Sequence, residues 1–187
     1  MKIGITGSLS SGKSTASKIL AKNKYPIFNA DNEVAKLYKN TTFKIKIIKC
    51  LKIKEKTNLK KKIVDLIIGN KSNLKKVEKI IHPIIRKKMK IFAKKNQREK
   101  HVFFEIPLLI ESKLFNFFDL IFLIGAKESI RFKRYKKKKG NYKIFKFLNN
   151  RQIKHKNKTK FADHVIMNDK SLGLLKKKLA NIIENYE

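Results

Sequence analysis

Short apolar runs alternate with longer amphipathic stretches along most of this chain. Runs rich in Ile, Phe, Leu and Val predict five buried strands at residues 2–6, 25–29, 101–106, 119–124 and 164–167. Several are almost continuously apolar, as expected of parallel strands that are covered on both faces. Helical periodicity between them predicts helices at about 13–23, 31–51, 59–68, 71–97, 127–139, 142–156 and 171–185. The alternation predicts an α/β fold with a five-stranded parallel sheet flanked by helices.

A long segment between the second and third predicted strands has helical patterns only. We expect residues 32–97 to form a helical insertion within a single domain of residues 1–187. Pro83 is expected to break or kink one of its helices. The insertion is either a flap over a ligand or additional packing.

The chain is strongly basic, with a formal net charge of +34. Only five of its 48 basic residues are Arg, although base readout and bidentate phosphate contacts favour Arg. We therefore interpret the Lys excess as solvated surface and expect no specific nucleic-acid partner. The longest apolar run, residues 114–126, is too short to span a bilayer, and Cys50 is the one cysteine. We expect a cytoplasmic protein with no membrane association, a monomer with a small oligomer as the alternative.

The segment "GITGSLSSGKST" contains two glycines followed by Lys and Ser at a spacing typical of a phosphate-binding loop. Glycines let the backbone turn so that successive N–H groups point at phosphate oxygens, and the N-terminus of the following helix adds its positive end. Lys13 would contact the terminal phosphates of ATP, and the Ser14 hydroxyl would hold Mg²⁺. We therefore predict an ATP site formed by Gly7, Ser8, Leu9, Ser10, Ser11, Gly12, Lys13, Ser14 and Thr15, with Ser14 as the metal ligand.

Acidic residues follow two of the other predicted strands. Asp31 lies just beyond the second, where an open parallel sheet has its ligand crevice. It either accepts a proton from an attacking hydroxyl, binds metal through water, or caps the next helix. Glu105 ends the third strand and is a candidate metal-side carboxylate, whereas Glu111 is interpreted as a helix cap. His82, in the insertion, is either a substrate contact or a turn residue.

Three of the five Arg residues lie between the fourth and fifth predicted strands. Arg131 and Arg134 are one helical turn apart and therefore share a face. Phosphoryl transfer needs cations around the migrating group, and closing helices often carry them. We interpret residues 127–160 as a lid in which Arg131 and Arg134 are catalytic. The alternative is a basic helix surface.

Four blocks of sequence occur in one order across nearly the whole chain. They are "GITGSLSSGKST", "IFNADNEVAKLY", "IIHPIIR" with "FFEIPLLIESKL", and "RQIKHKNKTKFADHVIMND". Together they resemble the dephospho-coenzyme A kinase family. The resemblance implies a P-loop kinase fold with a helical substrate-side insertion and a mobile lid. It also implies transfer of the ATP γ-phosphate, with Mg²⁺, to the ribose 3′-hydroxyl of dephospho-CoA, the last step of coenzyme A synthesis.

The resemblance also implies roles for single residues. Asp31 matches the catalytic Asp of the second block, which favours the proton-acceptor role over the helix cap. Arg131 and Arg134 fall in the lid, and Asn168 lies near the expected position of the ATP adenine. The implied substrate-side residues are Asp31, His82, Glu105 and Leu108.

The chain departs from the family pattern at a few positions. Two Gly of the loop are replaced by Ser, which predicts a stiffer loop, and the first Asp of the second block is replaced by Asn, which removes a metal-side charge. The departures are Ser8, Ser10, Asn29, Glu105 in place of the more usual Asp, and Leu148 in place of an Arg whose role Arg151 could take.

Two rival functions remain open. The first is a kinase for nucleoside monophosphates or shikimate-like substrates, against which "IPLLIE" and the His-Pro block argue. The second is a nucleic-acid-binding NTPase, because residues 131–147 interleave aromatic and basic side chains. Those aromatics recur at helical spacing, so we expect them to pack the lid helices onto the core.

Overall fold

The computed structural model describes residues 1–54 and 58–186. Within these ranges, five strands form one sheet in the order β2-β3-β1-β4-β5, and every neighbouring pair is parallel. The five predicted strands are confirmed, the last with its predicted bounds. The strands are β1 (Lys2–Gly7), β2 (Ile27–Asn29), β3 (Val102–Glu105), β4 (Leu120–Gly125) and β5 (His164–Met167).

A 3₁₀ turn lies in the connection between β3 and β4, and α-helices lie in the other three connections and after β5. The α-helices are α1 (Lys13–Ala21), α2 (Ala30–Leu37), α3 (Thr41–Leu51), α4 (Leu59–Gly69), α5 (Lys71–Lys95), α6 (Glu128–Lys137), α7 (Tyr142–Asn150), α8 (His155–Lys158) and α9 (Leu172–Ile183). Single 3₁₀ turns occupy Phe115–Phe117, Thr159–Phe161 and Glu184–Tyr186. Within the described ranges, no helix has both the length and the apolar character required to cross a bilayer.

The chain divides into two compact units, and the first consists of Met1–Asn29 with Ala93–Glu187. This unit contains the sheet. Its core lies between β1, β3 and β4 on one side and helices α1 and α9 on the other. Fully or almost fully buried members include Ile3, Ile5, Leu20, Phe103, Phe122, Ile124 and Leu179. The strand members of this core belong to the apolar runs that predicted strands. Alternate strand residues such as Phe104 and Leu123 are fully buried on the other face, so burial on both sheet faces explains the continuity of these runs.

The second unit, Ala30–Phe92, is helical and has its own apolar cluster. The buried side chains come from α2, α3, α4 and α5, and they are Leu37, Phe43, Ile47, Leu51, Ile63 and Val77. Each helix therefore contributes one apolar face to a shared core. The roles predicted for residues 32–97 and 127–160, substrate-side insertion and lid, stay predictions.

The single helix predicted at 31–51 is wrong, because the chain forms two helices there. Helix α2 ends at Leu37, and Asn40 precedes α3 as its N-cap, with its side-chain oxygen accepting a hydrogen bond of 2.9 Å from the Phe43 amide. An Asn at this position satisfies an amide that has no acceptor within the helix. The capping bond fixes the start of α3.

Of the break or kink expected at Pro83, the break is wrong and the kink stays a prediction. Helix α5 runs without interruption through this residue. A proline inside a helix removes one hydrogen bond, but apolar side chains before and after it pack on the cluster of the second unit, namely Ile80, Ile81, Ile84 and Ile85. Packing on both sides of Pro83 therefore keeps the helix continuous.

The helix predicted at 142–156 ends earlier, at Asn150, and a short separate helix α8 follows. The aromatic residues of this region pack α6 against α7, since Phe145 lies 5.2 Å from Phe132 and 5.5 Å from Tyr135 between ring centroids. Phe145 is 1% exposed. The rings of Phe132, Tyr135 and Phe145 therefore lie between the two helices, and these three do not form an exposed stacking surface.

Candidate active site

The loop between β1 and α1 has the backbone of a phosphate-binding loop. Gly7 has φ 150° and Gly12 has φ 101°, both in the range that side chains disfavour. A Cβ atom at Gly7 would collide with the carbonyl oxygen of Ile124, and one at Gly12 would collide with the side chain of Asn168. Backbone conformation therefore favours glycine at both positions, and close approach to a backbone atom adds a second requirement at Gly7.

Helix α1 begins at Lys13, directly after the loop. The Thr15 and Ala16 amides donate to the carbonyl of Gly12, the residue before the helix. In general, the first amides of a helix have no acceptor further back within that helix. Their positive end faces the loop, where an anion is favoured. Two amides inside the loop have partners: Leu9 N donates to Gln152 Oε1 at 3.2 Å, and Ser11 N donates to the Ser8 carbonyl at 3.1 Å.

The Lys13 ammonium lies inside the loop. It is 7% exposed, and Nζ donates to the Gly7 carbonyl at 3.2 Å and to the Ser8 carbonyl at 3.0 Å. A buried ammonium needs acceptors of this kind, because leaving it without them is costly. A positive charge is thereby held among the backbone groups predicted to bind phosphate.

Glu105 ends β3 and is the centre of a buried polar cluster. It is 3% exposed, and its carboxylate accepts hydrogen bonds from Ser14 Oγ at 2.5 Å, Ser17 Oγ at 3.2 Å and Asn29 Nδ2 at 2.7 Å. The sheet register creates this cluster, because Glu105 pairs with Ile5 of β1 on one side and with Asn29 of β2 on the other. The metal-side pair predicted from sequence, Ser14 with Glu105, is brought together.

Asn168 and Arg134 hold the backbone of the loop at Ser11. Asn168 is 7% exposed, and its Nδ2 donates to the Ser11 carbonyl at 2.8 Å. Arg134 donates to the same carbonyl at 3.3 Å and to the Asn168 carbonyl at 2.9 Å. Both predicted residues thus lie at the loop, and the contacts they make there are with its backbone.

Arg131 holds the backbone of the loop at Leu9, two residues before Ser11. It is 6% exposed, and its guanidinium donates to the Ala126 carbonyl at 3.0 Å, to the Leu9 carbonyl at 3.4 Å and to Asn149 Oδ1 at 2.8 Å. Burial lowers the pKa of Arg131, and the nearby Glu128 carboxylate opposes this effect. Because the ordinary pKa of arginine is so high, the side chain remains charged.

The remaining predicted residues lie elsewhere. Asp31 is exposed in the first turn of α2, in the second unit. Because α2 begins at Ala30, Asp31 is inside the helix and the N-cap alternative is wrong. His82 is half-buried within α5 and is therefore a helical residue, not a turn residue. Leu108 is half-buried in the turn after β3.

The helix-cap interpretation of Glu111 is wrong. Its carboxylate oxygen Oε1 forms an ion pair of 2.7 Å with the completely buried Lys158 and accepts a hydrogen bond of 3.0 Å from the Ile153 amide. His155 lies nearby on α8, and burial, followed by the charges of Lys158 and Arg131, lowers its pKa despite the opposing Asp169. No spacing in the sequence links residues 111 and 158, so periodicity could not have found this pair.

In residues 1–54 and 58–186, no group of three or more His, Cys, Asp and Glu side chains is arranged to hold a metal ion. A metal at the loop would therefore need further oxygen ligands, such as hydroxyls and phosphate oxygens, beside any single carboxylate. The Ser14 hydroxyl against Glu105 is a donor set of this kind.

The loop with two glycines and a lysine lies between the first strand and the first helix. The sheet is parallel and has the strand order β2-β3-β1-β4-β5. Together, this loop and this sheet define a P-loop kinase. The sequence matches the dephospho-CoA kinase family over residues 1–173. The chain therefore belongs to the dephospho-CoA kinase family, and the family and fold class predicted from sequence are confirmed.

Individual relatives agree with this assignment. A dephospho-CoA kinase from Rickettsia typhi is 32% identical over 188 residues, which is 100% of this chain and 98% of the relative. A solved structure from Thermus thermophilus superposes with a TM-score of 0.78 at 25% identity and covers 99% of this chain and 97% of its own. The dephospho-CoA kinase from Campylobacter jejuni superposes with a TM-score of 0.65 at 24% identity, over 100% of this chain and 97% of its own.

Proposed function

We propose that this protein transfers the γ-phosphate of ATP to the ribose 3′-hydroxyl of dephospho-CoA and so completes coenzyme A synthesis. The observation that carries the proposal is the phosphate loop. The Lys13 ammonium lies within it, and the Ser14 hydroxyl lies against the buried Glu105, in a chain of this family. ATP would place its phosphates on residues 7–15, where backbone amides, the end of α1 and Lys13 all favour negative charge.

Mg²⁺ fits the donor set beside the loop. Ser14 offers a hydroxyl oxygen and Glu105 a carboxylate, and hard oxygen donors are what Mg²⁺ prefers. We propose Ser14 as the ligand, with Glu105 orienting it by accepting its hydroxyl hydrogen. When bound, the ion would neutralise phosphate charge during transfer.

We propose Asp31 as the general base. Its carboxylate would accept the proton of the 3′-hydroxyl while that oxygen bonds to the γ-phosphorus and the bond to the ADP oxygen breaks. Its exposure in the first turn of α2 supports this role, because a substrate in solution can reach an exposed side chain. Its match to the catalytic Asp of the family block is the second support.

Arg131 and Arg134 are proposed to offset the negative charge of the transferring group. Their support is the position of both guanidinium groups against the loop backbone, at Leu9 and Ser11. Preorganised charge of this kind lowers the barrier because no reorganisation is needed during reaction. Asn168, bonded to Ser11, is proposed to lie near the adenine as well as to hold the loop.

The helical second unit is proposed to bind the acceptor, with His82 as a contact. Glu105 and Leu108 are proposed as substrate contacts because the family resemblance implies them. A cavity of about 830 Å³ within the second unit supports acceptor binding there. Its apolar lining suits the uncharged arm of dephospho-CoA, and two lysines lie beside it. The lining includes Ile45, Ile48, Ile63 and Ile67, with Lys39 and Lys44. A charge at its wall, as in Ile48→Glu, should raise KM for dephospho-CoA and leave KM for ATP unchanged.

ATP consumption with a panel of acceptors tests the proposal. The full-length protein should consume ATP with dephospho-CoA, give a product phosphorylated at the 3′ position, and stop when EDTA removes Mg²⁺. Adenosine, AMP and shikimate should support little turnover. Turnover with shikimate or AMP that equals or exceeds turnover with dephospho-CoA would refute the acceptor assignment.

Two variants test the residue roles, each beside a matched control. Lys13→Ala and Asp31→Asn should abolish transfer and leave the circular dichroism spectrum unchanged. The exposed Lys18→Ala on α1 and Asp65→Asn on α4 should retain wild-type turnover. Full activity of Asp31→Asn would remove the general-base assignment.

We further propose that the protein is cytoplasmic, monomeric and without a specific nucleic-acid partner. Size-exclusion chromatography tests the oligomeric state. A salt titration of DNA binding tests the last point, because binding that rests on charge alone weakens steeply with salt. Tight, sequence-dependent binding at physiological salt would favour the NTPase alternative.

A further inference from the structure

An ion pair lies in the first unit that the proposed chemistry does not use. Lys158 is completely buried, and its Nζ lies 2.7 Å from Glu111 Oε1. Burying two charges is expensive, and well-packed apolar residues in their place are often as stable. The stability of the fold is therefore a weak explanation for this ion pair. The contacts that Glu111 makes with its other neighbours indicate a different role.

Glu111 also holds a backbone segment. The same oxygen, Oε1, accepts a hydrogen bond of 3.0 Å from the Ile153 amide. Ile153 lies between α7, which ends at Asn150, and α8, which begins at His155. This short connection has no regular secondary structure; the Gln152 amide donates to the Asn149 carbonyl at 3.2 Å, and the Glu111 contact adds a side-chain restraint at the next residue.

The residue before Ile153 contacts the phosphate loop. Gln152 Oε1 accepts a hydrogen bond of 3.2 Å from the Leu9 amide. The carbonyl of Leu9 is held in turn by Arg131 at 3.4 Å. Both backbone polar groups of Leu9 are thus bonded to side chains from the region between β4 and β5.

These contacts form one chain of interactions from the buried pair to the loop. Lys158 fixes Glu111, Glu111 fixes Ile153, and the neighbouring Gln152 fixes Leu9. We infer that Glu111 and Lys158 are positioning residues for the phosphate loop: their pairing places Gln152 against the Leu9 amide and so preorganises the loop for the phosphates of ATP. A loop already held in its binding conformation loses less entropy when the nucleotide binds. The inference rests on the proposed use of this loop for ATP.

A mutant cycle on ATP binding tests the inference. The Kd for ATP is measured by calorimetry without acceptor, for Gln152→Ala, for the double variant Glu111→Leu with Lys158→Met, and for the triple variant. Replacing both charges together avoids leaving one buried charge alone. We expect Gln152→Ala and the double variant each to raise Kd about five- to tenfold, the usual scale for one lost hydrogen bond with its loop ordering. The triple variant should be no weaker than Gln152→Ala, because both changes act through one contact.

Matched controls and melting temperatures separate positioning from stability. The exposed Glu99→Leu with Lys160→Met, the control double variant, makes the same chemical changes and should leave Kd unchanged. Multiplied effects in the triple variant would overturn the inference, and so would a lower melting temperature with unchanged Kd. If the double variant Glu111→Leu with Lys158→Met does not fold, Glu111→Gln with Lys158→Met completes the cycle. It removes the ion pair but keeps an oxygen that can accept from Ile153, so Kd should rise by less than for Gln152→Ala, and a larger rise would overturn the inference.

The cycle is also distinct from the test of the proposed function. Because it measures ATP binding without acceptor, a wrong acceptor assignment leaves its outcome unchanged. Wild-type protein that does not bind ATP would count against both. Wild-type protein that binds ATP and does not phosphorylate dephospho-CoA would count against the proposed function alone.

Discussion

Asn29→Asp would place a second carboxylate against Glu105. The Asn29 amide donates to Glu105 Oε2 at 2.7 Å, and Glu105 is 3% exposed. Asp has nearly the same shape as Asn but no N–H group to donate, so a hydrogen bond would become a repulsion between two oxygens. The substitution restores the first Asp of the family's second sequence block. It therefore tests whether Asn at position 29 is needed because Glu105 is already charged beside it.

The size of the repulsion follows from the distance of 2.7 Å between the two side chains. Two unit charges so close repel by about 6 kcal/mol at an effective dielectric constant of about 20. The pair avoids this by keeping one proton, so the pKa of one carboxyl rises above its unfolded value. Keeping that proton costs about 1.4 kcal/mol for each pH unit above the ordinary pKa near 4.

The direction in which stability changes with pH follows from the number of protons bound by the folded and the unfolded chain. Over this pH range the folded variant binds one proton more than the unfolded chain, so its stability falls as pH rises. Relative to wild type, Asn29→Asp should lose about 2.7 kcal/mol of unfolding free energy between about pH 5 and pH 7. For a chain of this size that loss lowers the melting temperature by about 5–10 °C.

Thermal melts followed by far-UV circular dichroism at several pH values measure this effect, since the chain has no Trp for fluorescence. Asn116→Asp, at an exposed position, is the matched control and should follow wild type. Mg²⁺ should recover part of the loss at neutral pH, because the ion attracts both carboxylates. A melting-temperature difference that does not grow with pH would refute the reasoning about the carboxylate pair.

Three further predictions use the same melts. Ser10→Gly should raise the melting temperature by about 1–2 °C, because relief of a left-handed φ of 58° exceeds the added chain entropy; a decrease would contradict this. Phe145→Ala should cost about 3–5 kcal/mol, since the ring is 1% exposed between α6 and α7, and a loss below about 1 kcal/mol would contradict the packing. Burial, then the charges of Lys158 and Arg131, lowers the pKa of His155, so the unfolded chain takes up its proton first and stability is lost as pH falls below about 6.5. His155→Gln should therefore show a smaller loss toward pH 5 than wild type, and an equal loss would count against this.

The strands and the loop could be predicted because their signals are local. Neighbouring strand residues such as Phe103 and Phe104 point to opposite faces of the sheet and both are fully buried, so their segments are continuously apolar. The spacing of Gly7, Gly12 and Lys13 follows from backbone conformation and charge within one short loop. Glu105 was found for a similar reason, since the end of a parallel strand is a defined place in the sheet.

The helix ends and the buried pair could not be predicted, because they depend on contacts between distant segments. Helix α7 ends at Asn150 where the next residues bond elsewhere: Gln152 to the loop and Ile153 to Glu111. The periodicity of residues 142–156 contains no trace of these partners. The pairing of Glu111 with Lys158 likewise depends on the tertiary fold.

The two serines that replace glycine in the loop show how its conformation is maintained. Among the described residues, Ser10 has a left-handed φ and Ser8 does not, so the strain of the substitution falls on Ser10 alone. A residue in this conformation persists when its surroundings over-determine it. The residues on either side of Ser10 are each held by two side chains: Leu9 by Gln152 and Arg131, and Ser11 by Asn168 and Arg134. Contacts from the region after β4 therefore offset the cost of a serine where glycine would be relaxed, and the stiffness of the loop depends on those contacts as much as on its own sequence.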